Sequence, residues 1–245
     1  MSENAKNQLK VVYFVPVARR SLQLYDLRIA FDQGKERFSM TKTKIFGIGL
    51  NKTGTTSLKQ AFVQLGFRHL DRKPRLFKHW KKREFEQIFD WIEDYETFED
   101  WPWPLMVPEL LERYPDAKFI LTRRTDARTW VESLKRQAEK TNPDNNPRKV
   151  IYGHSYPHGH EAAHIAFYEK HLEKVRAFFA DKPAQLSEFC WEEGDSWPDI
   201  CAFLGVDQPR KPFPHANKSK KNGRADPEFL YENQRRIQEK LKNLN

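Results

Sequence analysis

Cysteine is scarce: Cys190 and Cys201 are the only two in 245 residues. That excludes a disulfide framework, and the pair lacks metal-ligand spacing. Buried free thiols in a reducing compartment are the expectation. No apolar run approaches the roughly 20 residues of a membrane span. The stretch Val11 to Val17 is apolar but lacks the h-region and cleavage site of a signal peptide. A cytoplasmic protein with no membrane partner is expected. Internal repeats are absent, Gly-x-Ser-x-Gly is missing, and no Ser-His-Asp or Cys-His arrangement can be read from spacing. No nucleic-acid-binding motif accompanies the net charge of +9. The charge fits an anionic ligand or serves solubility, and nucleic acid is not the expected partner.

What is present suits one α/β domain. Hydrophobic residues make up 38% of the chain, aromatics 13%, and seven tryptophans can fill a core. Ile45 to Leu50 and Ala117 to Thr122 read as buried strands. Ser57 to Leu65 reads as a helix with Leu58, Ala61, Phe62 and Leu65 on one face. Arg75 to Trp91 has helical periodicity, and helices follow over Leu105–Tyr114, Asp126–Ala138, Glu161–Phe179, Ser196–Leu204 and Pro227–Leu244. Short strands are expected at Phe67–Leu70 and Ala184–Cys190, and Thr141 to Gly159 reads as a long loop or lid. Alternating strands and helices give an α/β fold: a parallel sheet flanked by helices on both faces, a three-layer sandwich. Residues 1–43, which could include a strand at Leu9–Val17, form a peripheral N-terminal extension. Residues 44–217 form the α/β domain, and 218–245 add a basic loop and a terminal helix to it.

The stretch from Lys44 to Leu58 organises this domain. An apolar strand runs into Gly49, Asn51, Lys52, Thr53 and Gly54, then into Thr55, Thr56 and Ser57 at a helix start. A helix N-terminus aims free N–H groups and its positive dipole end at one point, so this is an anion site to which Lys52 adds a full charge. Gly49 and Gly54 have the Walker A spacing, but Thr55 stands where that motif places lysine. The Rossmann fingerprint fails too, since Lys52 replaces its last glycine.

Lys-Thr-Gly-Thr-Thr-Ser-Leu after an apolar strand resembles the 5′-phosphosulfate-binding loop of the sulfotransferase family, whose fold is P-loop NTPase-like. Pro115 to Arg124, followed by Trp130 and Ser133, is similar to that family's 3′-phosphate motif. The Arg-to-Ser separation there is usually eight; here Arg124 to Ser133 is nine and Arg123 to Ser133 is ten, so Arg124 fits better. The segment Phe98-Glu99-Asp100-Trp101-Pro102 and the stretch Pro212-Phe213-Pro214-His215 resemble a soluble bacterial branch. The resemblance implies 3′-phosphoadenosine-5′-phosphosulfate (PAPS) as sulfuryl donor, held by Lys52, Thr53, Gly54, Thr55, Thr56, Ser57, Arg124 and Ser133, with no metal. It implies Lys52 as the leaving-group charge, a small-molecule or carbohydrate acceptor, and Lys218, Lys220 and Lys221 as a basic loop over the 3′-phosphate. For the base, Asp100 comes first, with a helix-capping role open to it; His69 and His79 follow.

Three other readings stand beside this one. A nucleotide kinase or NTPase with a shifted lysine uses the same loop, as does a nucleotide-binding domain without acceptor chemistry. His160-Glu161-Ala162-Ala163-His164 is a literal HExxH, the layout of a zinc hydrolase, with Glu188, Glu192 or Glu193 as third ligand. The metzincin extension is absent, and helix-surface or lid histidines are the preferred reading of this His-rich region.

Overall fold

The computed structural model describes residues 26–32, 35–41, 43–216 and 226–243. The expected strand at Leu9–Val17 and the basic residues Lys218, Lys220 and Lys221 lie outside the described residues. Within 1–43, β1 (Asp26–Asp32) and β2 (Lys35–Thr41) pair antiparallel in a two-stranded sheet of their own.

Five parallel strands form the central sheet: β3 (Ile45–Gly47), β4 (His69–Leu70), β5 (Thr97–Phe98), β6 (Lys118–Thr122) and β7 (Leu186–Phe189). Their order is β4-β5-β3-β6-β7, with β3 at the centre. Side chains alternate across this sheet, and each face has its own helical layer. Ile45, Ile120 and Phe189 pack with Leu58, Ala61 and Phe62 of α1 (Thr55–Gln64) and with Trp197, Ile200 and Cys201 of α8 (Trp197–Leu204). Phe46, Phe98 and Phe119 face the opposite way. They join the buried residues of α3 (Phe85–Ile92), α4 (Val107–Arg113), α5 (Ala127–Glu139) and α7 (Glu161–Phe178). This is the expected α/β sandwich. Both cysteines are buried and unpaired.

Lys44 fixes the entry to β3. Its ammonium is buried and donates to the carbonyls of Ile92, Glu93 and Tyr95 at 2.8, 3.0 and 2.7 Å, the end of α3. A cation there satisfies carbonyls the helix cannot, and meets the negative end of its dipole.

Two expectations need correction. The periodic stretch 75–91 is two helices, α2 (Pro74–Lys82) and α3, because Arg83 turns left-handed at φ 58° and ends the first. The region 141–159 contains α6 (Arg148–Tyr152) and is built around a charge: Arg148 is 1% exposed and donates to Ser155 O at 2.8 Å and Thr141 Oγ1 at 2.7 Å. The terminal α9 (Pro227–Lys242) docks through buried Asn233, whose Nδ2 donates to Ala138 O and Glu139 O at 2.9 and 2.8 Å. Among the described residues no helix is long and apolar enough to cross a membrane.

Candidate functional site

The centre of the sheet delivers its loop, residues 48–54, between β3 and α1. Five of the seven carbonyls of this loop accept a side-chain donor. Ile48 O accepts from His171 Nε2 at 2.8 Å, Leu50 O from the Thr53 hydroxyl at 2.6 Å, and Asn51 O from Trp130 Nε1 at 2.8 Å. Lys52 O accepts from Arg124 at 3.3 Å and Gly54 O from Trp191 Nε1 at 3.2 Å. With these oxygens engaged, the opening end of α1 and its positive dipole face the loop, an arrangement suited to an anion.

Two glycines permit this. A Cβ on Gly49 would overlap the backbone and hydroxyl of Thr122, and one on Gly54 would overlap the Trp191 ring. Gly54 also adopts φ 95°, in the left-handed region, and caps α1 without a side-chain bond. Gly49→Ala is therefore expected to push the loop off β6. Thermal melts should show destabilisation of about 1–3 kcal/mol, the usual overpacking range, and any anion affinity should fall with it.

Lys52 sits at the turn with φ 71°. Burial pushes its ammonium below the usual lysine range, and the charges of Arg124, Arg136 and Lys140 push the same way, with Asp100 opposing. Cations gathered around one ammonium suit the binding of an anion. Thr53 is buried, its hydroxyl 2.7 Å from that of Thr122. Thr55 and Ser57 are buried in the first turn of α1 and Thr56 is exposed. The Ser57 hydroxyl accepts from Ala216 N at 3.2 Å.

β6 ends in two arginines with different surroundings. Arg123 is enclosed by Glu188, 2.6 Å away, and by Glu193, which keep its guanidinium ionised. Arg124 reaches the loop: it binds Lys52 O and Glu192, at 2.5 Å, and its Nε is buried without a partner. Ser133 is buried on α5, and its hydroxyl accepts from Arg136 at 2.9 Å.

On the other side of the loop, β4 and β5 bring a cluster of acid–base groups together. His69 Nδ1 lies 3.1 Å from Thr97 Oγ1, its Nε2 is buried without a partner, and burial pulls its pKa down to about 4. Glu99 is 6% exposed and 4.0 Å from that Nε2. Burial first, then the Asp100 charge, pushes the Glu99 carboxyl up to about 8, against a hydrogen bond from Thr55. Between those two values both groups are neutral, so the 4.0 Å contact is not an ion pair. Asp100 is partly exposed as a residue, but its Oδ1 is enclosed without a partner. Burial raises its pKa, while Arg72, the Trp101 N–H and Lys52 lower it. Its backbone stands at φ 67° and only its carbonyl serves the following 3-10 turn, accepting from Trp103 N at 3.2 Å. Of the other base candidate, His79, Nδ1 is 2.7 Å from Glu84.

Glu99 was not singled out from sequence. Its signal was its place: a carboxylate directly after a buried strand, beside Asp100. Trp191 and Arg136 also escaped notice: Trp191 meets the Gly54 carbonyl 137 residues away in the chain, and Arg136 lies one turn along α5 from Ser133 with no motif to mark it.

The Glu99 value carries a stability prediction. A carboxyl whose folded pKa is raised adds no strain below its ordinary value of 4.5 and destabilises progressively as pH rises toward about 8. The penalty grows by on the order of 1.4 kcal/mol per pH unit across that window. Glu99→Gln is expected to melt like the parent near pH 4.5 and higher than it at pH 8.

The HExxH segment is differently employed. The His160 ring stacks on His154 at 3.6 Å, and His164 Nδ1 lies 2.9 Å from the His160 carbonyl. Glu161 pairs with Lys135 at 3.1 Å, and Glu188, Glu192 and Glu193 pair with arginines. Among the described residues no group of three His, Cys, Asp or Glu is placed to hold a metal ion.

Comparison with known proteins bears on the chain as a whole. The chain is 25% identical to "Ava biosynthesis cluster protein M" of Aspergillus versicolor, over 80% of this chain and 89% of that protein. Residues 44–222, which contain the loop, both arginines, Ser133 and the acid–base cluster, match the sulfotransferase domain. With five parallel strands between helical layers and the family match covering most of the chain, this protein belongs to the sulfotransferase family.

Proposed function

We propose that the protein transfers a sulfuryl group from PAPS to a hydroxyl or amine on a small-molecule or carbohydrate acceptor, without a metal ion. One observation carries the reading furthest: the cations Arg124, Arg136 and Lys140 act on the Lys52 ammonium, at a loop in which five of the seven carbonyls are taken by side-chain donors. The residues present suit the donor. Lys52, Thr53, Gly54, Thr55, Thr56 and Ser57 would hold its 5′-phosphate; Arg124, with its unpartnered Nε, and Ser133 would hold the 3′-phosphate. Two separate anion sites suit a nucleotide phosphorylated at both ends better than a triphosphate. The relative's name refers to a biosynthesis cluster, which fits a small-molecule acceptor.

The donor supplies an activated sulfuryl group. Lys52 holds a fixed positive charge where the leaving phosphate oxygen gains negative charge, which favours the transition state over the ground state. Asp100 receives the acceptor's proton at its enclosed Oδ1. His69, neutral above about pH 4, is the second candidate for that role. The sulfuryl group is less charged than a phosphoryl group, so no bridging metal ion is needed beside Lys52. Incubation with sulfur-labelled PAPS and a panel of phenols, alcohols, amines and sugars, in the presence of a chelator, tests the reading. Label is expected on at least one acceptor class, and none on any acceptor with or without added Mg²⁺ would overturn it.

A further inference from the structure

The parallel register sets the end of β4 beside the end of β5, with His69 opposite Thr97 and Leu70 opposite Phe98. Asp71 and Arg72 therefore leave the sheet next to Glu99 and Asp100, at the carboxyl edge where open parallel sheets bind ligands. Two contacts join these ends: His69 Nδ1 lies 3.1 Å from Thr97 Oγ1, and its Nε2 lies 4.0 Å from Glu99. Asp71 is engaged by Lys59 of α1. Arg72 is exposed and, among the described residues, pairs with no carboxylate. It opens a stretch, residues 72–83, that holds seven Lys or Arg and no Asp or Glu. Of those seven, Lys82 alone meets a carboxylate among the described residues, Glu84 at 3.7 Å. Only Leu76 of α2 is buried, so the helix carries its cations at the surface.

We propose that Arg72 selects the acceptor: the molecule that receives the sulfuryl group carries an acid group, a carboxylate or a phosphate or sulfate ester, which the Arg72 guanidinium holds while the reacting hydroxyl or amine lies at Asp100. This inference rests on the transfer reading above. A guanidinium offers paired donors that match the oxygens of such groups. Burial raises the Asp100 carboxyl, and of the cations that oppose it Arg72 acts ahead of Lys52, as its place beside β5 requires. An acid group brought to this edge is repelled by the Asp100 carboxylate, and Arg72 offsets that repulsion. Asp71 adds little to it, being engaged by Lys59, and Glu99 is protonated below about pH 8. The cations of residues 73–83 extend the positive field outward from Arg72 and steer an anionic molecule toward it. The chemistry is unchanged: the sulfuryl group passes to the acceptor oxygen or nitrogen, and the proton released goes to Asp100.

Transfer rates from sulfur-labelled PAPS at pH 7 to matched acceptors test this: para-hydroxybenzoate against its methyl ester, glucuronate against glucose, and glucose phosphate against glucose. In at least one pair the acidic member is expected to show kcat/KM about tenfold higher, the scale of one hydrogen bond to a charged group. Which pair shows it tells carboxylate from phosphate. Arg72→Ala should bring that ratio close to one and Arg72→Glu below one, whereas Lys82→Ala, at the far end of α2, should keep it. Both members of a pair meet the same Asp100, so any effect of Arg72 on the base cancels in the ratio. Stabilisation of each variant by 3′,5′-bisphosphoadenosine in thermal melts checks its fold and donor site. Transfer with no preference for any acidic member, or a preference undiminished in Arg72→Ala, would overturn the inference and leave sulfuryl transfer standing. An equal loss of preference in Lys82→Ala would likewise overturn the assignment to Arg72. Label on no acceptor at all would overturn the transfer reading and this inference with it.

Discussion

Replacing Lys52 by alanine is expected to lower the rate of sulfuryl transfer by about a thousandfold while the fold survives. Removing one preorganised charge-stabilising donor from a desolvated site raises a barrier by roughly 3–4 kcal/mol. Lys52 is such a donor on the proposed mechanism, held at a left-handed turn whose carbonyl is bound by Arg124. The same substitution should raise the melting temperature of the ligand-free protein. Burial and three neighbouring cations disfavour the Lys52 ammonium, so its removal relieves repulsion that the loop exists to supply. Lost turnover with gained stability separates a functional charge from a structural one. Turnover of the alanine variant equal to the parent's would remove Lys52 from the mechanism.

Asp100→Asn is expected to lower turnover by about two to four powers of ten, the range for loss of a general base. Asparagine tolerates the left-handed backbone at φ 67° as aspartate does, so the turn should persist. The amide fits the same enclosure but takes no proton. The raised pKa of Asp100 predicts that parent turnover falls on acidification from above the ordinary aspartate range, as the base becomes protonated. The asparagine variant should lack that limb. His69→Gln, at a ring already neutral down to about pH 4, should leave the limb in place. Turnover of Asp100→Asn within about threefold of the parent's, or an unchanged acid limb, would move the base to His69 or Glu99.

Much of this site could be read before any fold was in hand, because its parts are local. The loop residues 49–57 are contiguous, and the strand before them is uncharged. Arg124 and Ser133 sit at a strand end and on the next helix, positions set by short-range pattern. What could not be read depends on pairing across the sheet. The Glu99 carboxyl is raised by burial first and by the Asp100 charge second, and that burial comes only with the folded sheet. Three of the loop's carbonyls are held by His171, Trp130 and Trp191, 123, 79 and 137 residues away. The break at Arg83 was hidden because periodicity records which residues are apolar, not a single backbone turn. The HExxH match shows the converse: a local motif is legible but its meaning comes from rings and carboxylates already engaged elsewhere.

Comparative thermal melts test the central claim, that two anion sites hold a nucleotide phosphorylated at both 5′ and 3′ positions. At a hundred times its dissociation constant, a ligand specific to the native state adds about 2.7 kcal/mol. Saturating 3′,5′-bisphosphoadenosine in the presence of a chelator is predicted to raise the melting temperature accordingly, with ATP and Mg²⁺ giving a much smaller shift. The reverse ordering, ATP with Mg²⁺ stabilising and the bisphosphate inert, would contradict the account and favour a nucleotide kinase or NTPase.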